Sequence, residues 1–394
     1  MKYVLGSGIN ALIFAYYNKD YTCIGEDFGN LVTLKNTILF HDSEYTKKLL
    51  TELNVEYSYK TSKISYLENG VFLEDLTKDQ IVKFIRKKLD DPNAIIVDFT
   101  LSVKSHYIKT LEFDYEDLIN SLKANVKIIK DTIIAIDGLH IITKSRYYEY
   151  DRLVNTLPVN TYNKLIGESY EYKYKSVTFC VTEILPNDEY SDINYILDSN
   201  NLTRINKKDN TLLWEFTGDV DINLCKSIVN RDIINYKVVN NAIVISEFAK
   251  SNLYHLHLGR FAQHNHQLKI HDTIEFSLNF TELSYIFNAQ KNFTSNFVDF
   301  SKDDINYKIT NAIKYINLIY PEVSELVSCL PYKEHKKIEL DLDNALEECI
   351  DVLKYLINTF LVLGFTEKML VTKFYDKSIK VKNRYELEKH KNSM

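Results

Sequence analysis

The chain has 394 residues, 45% of them hydrophobic and 26% charged, with a net charge of -6, the profile of a globular protein able to bury a large core. The acidic balance argues against a general nucleic-acid-coating surface, no apolar run has the length of a membrane-spanning helix, and the length implies two domains. Cysteines at positions 23, 180, 225, 329 and 349 form no C-x-x-C pair, and their odd number points to a reducing compartment such as the cytoplasm.

Tyr3-Val4-Leu5 reads as a first strand, residues 10–17 as a helix and Tyr21-Thr22-Cys23-Ile24 as a second buried strand. Gly6-Ser7-Gly8-Ile9-Asn10-Ala11, between the first two, is a G-x-G-x-x-A turn. In such a turn Gly6 permits the sharp bend, Gly8 lets the backbone approach a pyrophosphate, and Ala11 is small enough for close helix–strand packing. The helix that follows presents free N–H groups and a positive dipole end to phosphates. Glu26, twenty residues after Gly6, stands where an acid accepts hydrogen bonds from an adenosine ribose. On its own the turn suits NAD, NADP or FAD.

Further along, residues 44–53 read as a helix, 63–73 as a hairpin around Asn69-Gly70, and 78–89 as another helix. Residues 115–145 read as a helix followed by strands with a turn at Asp137-Gly138. Tyr150 to Pro158 reads as a buried strand ending in a turn, and 170–247 is rich in strand patterns. From Ser301 the pattern is helical almost throughout. The fold class implied is an α/β Rossmann-type domain over residues 1–285 with a strand-rich substrate subdomain at about 165–247. A linker at 286–302 and an all-α domain over 303–394 follow.

The histidines at 255, 257, 264, 266 and 271 have no carboxylate or cysteine at a spacing that completes a metal set, and read as lining a site or a surface. Cys180, within a strand, reads as a small buried hydrophobe. In the helical region Glu322 with Glu325 and Glu348 with Asp351 form two i,i+3 acid pairs, each on one helix face. Facing one another, they would offer four hard oxygen donors suited to Mg²⁺ bound with phosphates, and two such ions would polarise a phosphoryl group. Equally, acid pairs at this spacing decorate many solvated helices. Leu346, Cys349, Ile350, Leu353, Leu356, Ile357 and Phe360 read as the core stripe of the second helix, with Glu348 and Asp351 off it. Pro321 predicts a break between residues 319 and 321, since proline is tolerated at a helix start.

Three separated stretches of the first domain resemble the amine oxidase/UDP-galactopyranose mutase group of FAD-binding proteins: the Gly6-Ser7-Gly8 turn with Glu26, Tyr150-Asp151 through Thr156-Leu157-Pro158, and Gly259-Arg260-Phe261-Ala262-Gln263-His264 followed by Ile270 and Ile274. The resemblance implies FAD as cofactor, with Gly6, Gly8, Ala11, Glu26, Gly259, Arg260 and Ile270 as its contacts. The last segment would lead into a helix whose N-terminus meets the flavin ring, where N–H groups stabilise negative charge. Arg260 would be a catalytic-site cation beside the cofactor or an anionic substrate. This chain departs from the group at Glu26-Asp27-Phe28-Gly29-Asn30, where an Arg-x-Gly-Gly is usual. It also has Lys269 or a neighbour where the mutases place an acid.

Glu322 to Glu325, then Pro331-Tyr332-Lys333 with Lys336, then Glu348 to Asp351 resemble the all-α NTP pyrophosphatases, the MazG-like proteins, dimeric dUTPases and phage dCTPase/dUTPases. Tyr375 with Lys377 and Asn383-Arg384-Tyr385 resemble a later segment of that group. The resemblance implies Mg²⁺ on Glu322, Glu325, Glu348 and Asp351, phosphate contacts from Lys333, Lys336, Lys377 and Arg384, and a substrate contact from Asn383. Each of these basic residues also fits a solvated helix face.

Together the two resemblances imply a bifunctional enzyme of nucleotide metabolism. Its C-terminal half would be a dUTP/dCTP-type pyrophosphohydrolase. Its N-terminal half would be a flavin-dependent oxidoreductase or methyltransferase acting on a pyrimidine nucleotide, similar to a thymidylate synthase and using NADPH and a folate. The expected setting is a phage- or virus-encoded protein in the cytoplasm, a homodimer or larger, with small-molecule nucleotide substrates and neither membrane nor stable nucleic-acid partner. The alternative is a mutase-like or amine-oxidase-like flavoenzyme with a helical oligomerisation tail, and a third is a nucleotide-binding sensor.

Overall fold

The computed structural model describes residues 1–26, 40–73, 76–89, 107–198, 200–208, 210–245, 255–265, 268–330 and 341–391. The chain divides into two compact units, Met1–Ala249 with His257–Asn279, and Lys250–Leu256 with Phe280–Met394.

The first unit begins β1 (Lys2–Leu5), α1 (Ile9–Tyr17), β2 (Tyr21–Ile24), β3 (Phe40–His41), α2 (Glu44–Glu52), β4 (Tyr57–Glu68), β5 (Val71–Leu73), α3 (Lys78–Leu89), β6 (Tyr107–Phe113) and α4 (Tyr115–Ala124). Next come β7 (Ile128–Ile129), β8 (Ile133–Asp137), β9 (His140–Thr143), β10 (Tyr147–Glu149), β11 (Arg152–Asn155), α5 (Val159–Leu165) and β12 (Tyr174–Glu183). It closes with β13 (Ile193–Ile196), β14 (Leu202–Lys208), β15 (Thr211–Thr217), α6 (Ile222–Val229), β16 (Asn235–Val244), β17 (Leu256–His257) and α7 (Ile270–Leu278).

A five-stranded sheet runs in the order β17-β11-β1-β2-β7. It is parallel where β1 meets β11 and β2 and where β2 meets β7, with Leu5 opposite Asn155 on one side and Ile24 on the other. Val4, Leu5, Leu153 and Val154 are fully buried, as expected of parallel strands covered on both faces. The carboxyl ends of β1, β2 and β11 open at one edge, where ligands of such sheets bind.

Helix α1 is apolar nearly all round because it is enclosed. Leu12, Ile13 and Phe14 have no exposure, and they share a core with Leu49, Leu50, Leu118, Leu122 and Ile274 from α2, α4 and α7. Each such side chain contributes about 1.5–3 kcal/mol. Helix α7 lies beside α1 and runs the same way. Phe14 stacks on Phe276 at 6.5 Å, Asn18 at the end of α1 donates to the Ser277 carbonyl at 3.1 Å, and Ile9 and Ile270 pack on the same core. The N-termini of both helices therefore open toward the same end.

The second sheet is larger than the expected subdomain. It runs β16-β12-β15-β14-β13-β4-β6-β3, with β5 paired to β4, so strands from the first 113 residues join those of 174–244. The junction is parallel, with Ile193 opposite Ile64. At the predicted hairpin Asn69 and Gly70 take φ of 54° and 76°, the left-handed pair that a tight β-turn requires.

The second unit comprises α8 (Glu282–Thr294), α9 (Ile305–Ser328), α10 (Leu342–Val362) and α11 (Glu367–Lys391). Much of the stretch predicted as a linker, 286–302, is thus helical. The predicted break at 319–321 is absent, because α9 passes through Pro321. One lost hydrogen bond is tolerated where a long helix packs along a neighbour. The antiparallel α9 and α10 meet through Tyr315 and Tyr355, their rings 6.4 Å apart. The predicted core stripe of α10 holds only toward its C-terminal end. Leu346 is 62% exposed while Ile357 is 2% exposed, and Cys349, Ile350, Leu353 and Leu356 also face outward. Helix α10 buries Ala345, Asn358 and Thr359 instead, while Glu348 and Asp351 are half-buried. Among the described residues no single helix is long and apolar enough to cross a membrane.

Candidate functional site

The chain leaves β1 through Gly6 at φ +98°. A Cβ there would come 2.8 Å from Thr156 Oγ1, the hydroxyl that donates to the Leu5 carbonyl at 2.7 Å. Gly8 caps α1 without a side-chain hydrogen bond, and among the described residues nothing lies within 4 Å of where its Cβ would be. The first N–H groups of α1 thus have no side-chain cap, the condition for receiving an anion. Gly25 closes the other side of the turn, since a Cβ on it would come 2.9 Å from Ser7 Oγ. Ala11 is fully buried behind the turn.

Gly259 approaches the same helix start at φ +90°, and a Cβ there would come 2.9 Å from Asn10 Cγ. Asn10 Oδ1 is buried with no hydrogen-bond partner among the described residues, a cost that a ligand donor would remove. Glu26 stands exposed past the end of β2. It accepts from Thr132 Oγ1 and lies 3.8 Å from Lys144 Nζ. Ile270 begins α7, and the Lys269 N–H before it donates to the Asp272 carboxylate at 2.6 Å.

Arg260 is anchored through its Nε to the Leu268 carbonyl at 3.1 Å, and burial lowers its pKa. Burial also lowers Lys269, with Arg260 adding and Asp272 opposing. Lys88, at the end of α3, belongs to the same electrostatic neighbourhood. Burial pushes its ammonium down to about 8, Glu215 opposes, and the charges of Arg204, Arg260 and Lys269 add. Arg204 and Glu215 form a buried ion pair across β14 and β15.

The histidines are engaged separately. His257 Nδ1 lies 3.0 Å from Asn155 Nδ2 with its ring against Tyr162. His264 Nε2 lies 3.1 Å from the Lys173 carbonyl, between Tyr172 and Tyr174. Burial pushes His255 down to about 4, and His266 lies outside the described residues. Cys180 is fully buried, with its thiol pushed up by burial and by Cys225.

In the second unit, Glu322 from α9 and Glu348 and Asp351 from α10 bring carboxylate oxygens within 4.8 Å of one another. Glu325 is not part of that group, although its charge reaches both glutamates. Asp351 also pairs with Lys354 at 2.9 Å. Lys333 and Lys336 lie outside the described residues. Lys377 is exposed on α11, and Asn383 and Arg384 fall on α11 with side chains outside the described residues.

Sequence reasoning missed Asn10 and Gly25 beside the glycine turn. Gly25 was readable from its position just past the second strand. Asn10 is brought in by its contact with Gly259, which no local motif announces.

No family model and no curated protein matches the chain. Among solved structures it is similar to a CLA-producing fatty acid isomerase from P. acnes, at TM-score 0.49 and 11% identity over 75% of this chain and 98% of that one. It is also similar to an oxidoreductase from Methanosarcina mazei, at TM-score 0.47 and 10% identity over 70% and 98%. A third is BrvH, a flavin-dependent halogenase from Brevundimonas sp. BAL3, at TM-score 0.46 and 9% identity over 92% and 89%. Similarity of this degree says nothing about activity.

Proposed function

We propose that the first unit is a flavin-dependent oxidoreductase that holds FAD. One observation carries the reading: two parallel helices open their N-termini at the same end, at the glycine backbones of Gly6, Gly8 and Gly259. A dinucleotide needs such close backbone approach together with partial positive charge. The α1 start would receive the pyrophosphate, Glu26 the adenosine ribose, and Asn10 Oδ1 a donor of the cofactor. The α7 start, with Ile270, would supply a positive dipole end to the flavin ring. FAD, when bound, supplies two-electron redox chemistry. Arg260 and Lys269 would add fixed positive charge beside the reacting centre, which favours negative charge developing there.

Gly8→Leu tests this reading. Among the described residues no atom lies within 4 Å of a Cβ on Gly8, so the described fold accommodates the side chain while the proposed pyrophosphate position is filled. The expected result is loss of bound flavin with an unchanged circular dichroism spectrum. A Gly8→Leu protein that keeps its flavin would contradict the reading.

A second reading concerns the other unit and rests on the convergence of Glu322, Glu348 and Asp351 from two helices. Three carboxylates in that arrangement suit Mg²⁺ retained with substrate phosphates, so this unit would be a Mg²⁺-dependent pyrophosphohydrolase for a nucleotide of the dUTP or dCTP type. Pyrophosphate release from dUTP, lost in Glu348→Gln, is the corresponding assay. Absence of release from every deoxynucleoside triphosphate would contradict it.

A further inference from the structure

Helices α9 and α10 bury one face against each other and leave another bare. Asn344 donates to Cys329 Sγ at 2.8 Å near their connection, and Tyr315 meets Tyr355 at 6.4 Å toward the open end, so the two run side by side. On the outer side Ile313, Ile316, Tyr320 and Val323 of α9 and Leu346 and Leu353 of α10 are all exposed. Apolar rows at three- and four-residue steps belong against further helices.

Helix α11 does not cover that face within the same chain. It is bent 108° from α10, whereas a return along the hairpin needs a nearly antiparallel course. Its first residue is tied to α8, Ser284 Oγ donating to Glu367 at 3.2 Å. From Val371 to Val381 every described side chain is exposed, Phe374 and Val381 among them. A helix of 25 residues is about 37 Å long, and among the described residues its own unit leaves it bare beyond its start.

Charge divides the same unit. Glu322 and Glu325 near the end of α9, and Asp341, Asp343, Glu347, Glu348 and Asp351 at the start of α10, make the connected end acidic. Lys354 pairs with Asp351 at 2.9 Å, and the connecting residues 331–340 add three lysines and two glutamates, which leaves the acids in excess. Burial, then the neighbouring acids, hold Glu322 and Glu348 above the usual carboxylate range. Helix α11 is the reverse. From Glu367 to Arg384 the sequence has six bases against two acids. Lys373, Lys377 and Lys380 fall on one face at four- and three-residue steps, all exposed.

We propose that a second copy of this chain docks antiparallel on the α9–α10 face, so that α11 of each copy lies against the acidic end of the other's hairpin. The two apolar faces then cover each other about a two-fold axis. Helix α11 starts at the open end of its hairpin, which in this arrangement lies beside the connected end of the second copy. A parallel pairing would set acid beside acid and base beside base, a repulsion that the antiparallel one replaces with attraction. The inference depends on neither reading of function.

The test is a charge exchange read by light scattering, with circular dichroism to follow helix content. One variant is Lys373→Glu/Lys377→Glu/Lys380→Glu. The other is Glu325→Lys/Asp343→Lys/Glu347→Lys, with Glu322, Glu348 and Asp351 left in place. The wild type is expected at twice the chain mass, each variant alone at one chain mass, and an equimolar mixture of the two variants again at twice. The unaltered protein gives a second reading, which decides should a variant not fold: its dimer Kd is expected to rise about tenfold between about 50 mM and about 500 mM salt. A monomeric wild type, a folded variant that dimerises as the wild type does, a folded mixture that stays monomeric, or a Kd indifferent to salt would each overturn the proposal.

Discussion

Gly259 and Asn10 meet at the start of α1, the glycine held at φ +90° with the asparagine side chain occupying the place of its missing Cβ. The contact joins the last segment of the first unit to its first turn. Gly259→Ala must therefore strain the backbone, displace Asn10, or both, at a cost of about 1–3 kcal/mol. The expected outcome is a lower thermal midpoint and loss of flavin, partly recovered in Gly259→Ala/Asn10→Gly. An unchanged midpoint and full flavin content would show that the contact has no structural weight.

Lys88 gives a pH-dependent prediction. Its folded pKa, about 8, lies below the ordinary value of 10.5, so the unfolded chain binds more protons between these limits. Stability contributed by this group then rises with pH across that window. Lys88→Met is expected to raise the midpoint at pH 7 by about 3 °C, with the gain shrinking above pH 10. Equal gains at both pH values would contradict a desolvated ammonium at this position.

The carboxylates of the second unit should behave in the opposite sense. Burial and the neighbouring acids hold Glu322 and Glu348 above the usual carboxylate range, so their ionisation destabilises the metal-free fold as pH rises through that range. Glu348→Gln is expected to raise the midpoint slightly at pH 7 in EDTA. Mg²⁺ at ten times its Kd should stabilise the wild type by about 1.4 kcal/mol and leave Glu348→Gln unmoved. Equal Mg²⁺ shifts in both proteins would place the ion elsewhere.

The outward stripes of α9 and α10 predict a second copy of the chain. Ile309, Ile313, Ile316, Tyr320, Val323 and Val327 recur at three- and four-residue steps and are all exposed, as are Leu346, Ile350 and Leu353 opposite them in sequence order. Such paired seams are the half of a helical bundle that an identical hairpin completes. Light scattering should give twice the chain mass for the wild type and one chain mass for Ile313→Asp/Leu346→Asp. A monomeric wild type at micromolar concentration would remove the prediction.

The glycine turn of the candidate site was legible where its pattern lies in contiguous residues. Gly6, Gly8, Ala11 and Glu26 follow from one turn and the strand after it, and Gly259-Arg260 from one short segment. What stayed hidden depended on distant chain. Residues 57–68 join the sheet of residues 174–244 through a parallel pairing that no local pattern encodes. Lys88 reads as one more basic residue at a helix end, and only the fold shows its ammonium withdrawn from water above the large sheet. For α10 the periodicity identifies the apolar face correctly but not what covers it, so most of the stripe read as core faces outward.

The central claim is that the glycine-lined start of α1 holds FAD. It is tested most directly by the visible spectrum of the purified protein, followed by chromatography of the small molecule released on denaturation. The account predicts flavin absorbance and a released compound that co-migrates with FAD at about one per chain. A colourless protein that also fails to take up added FAD would contradict it.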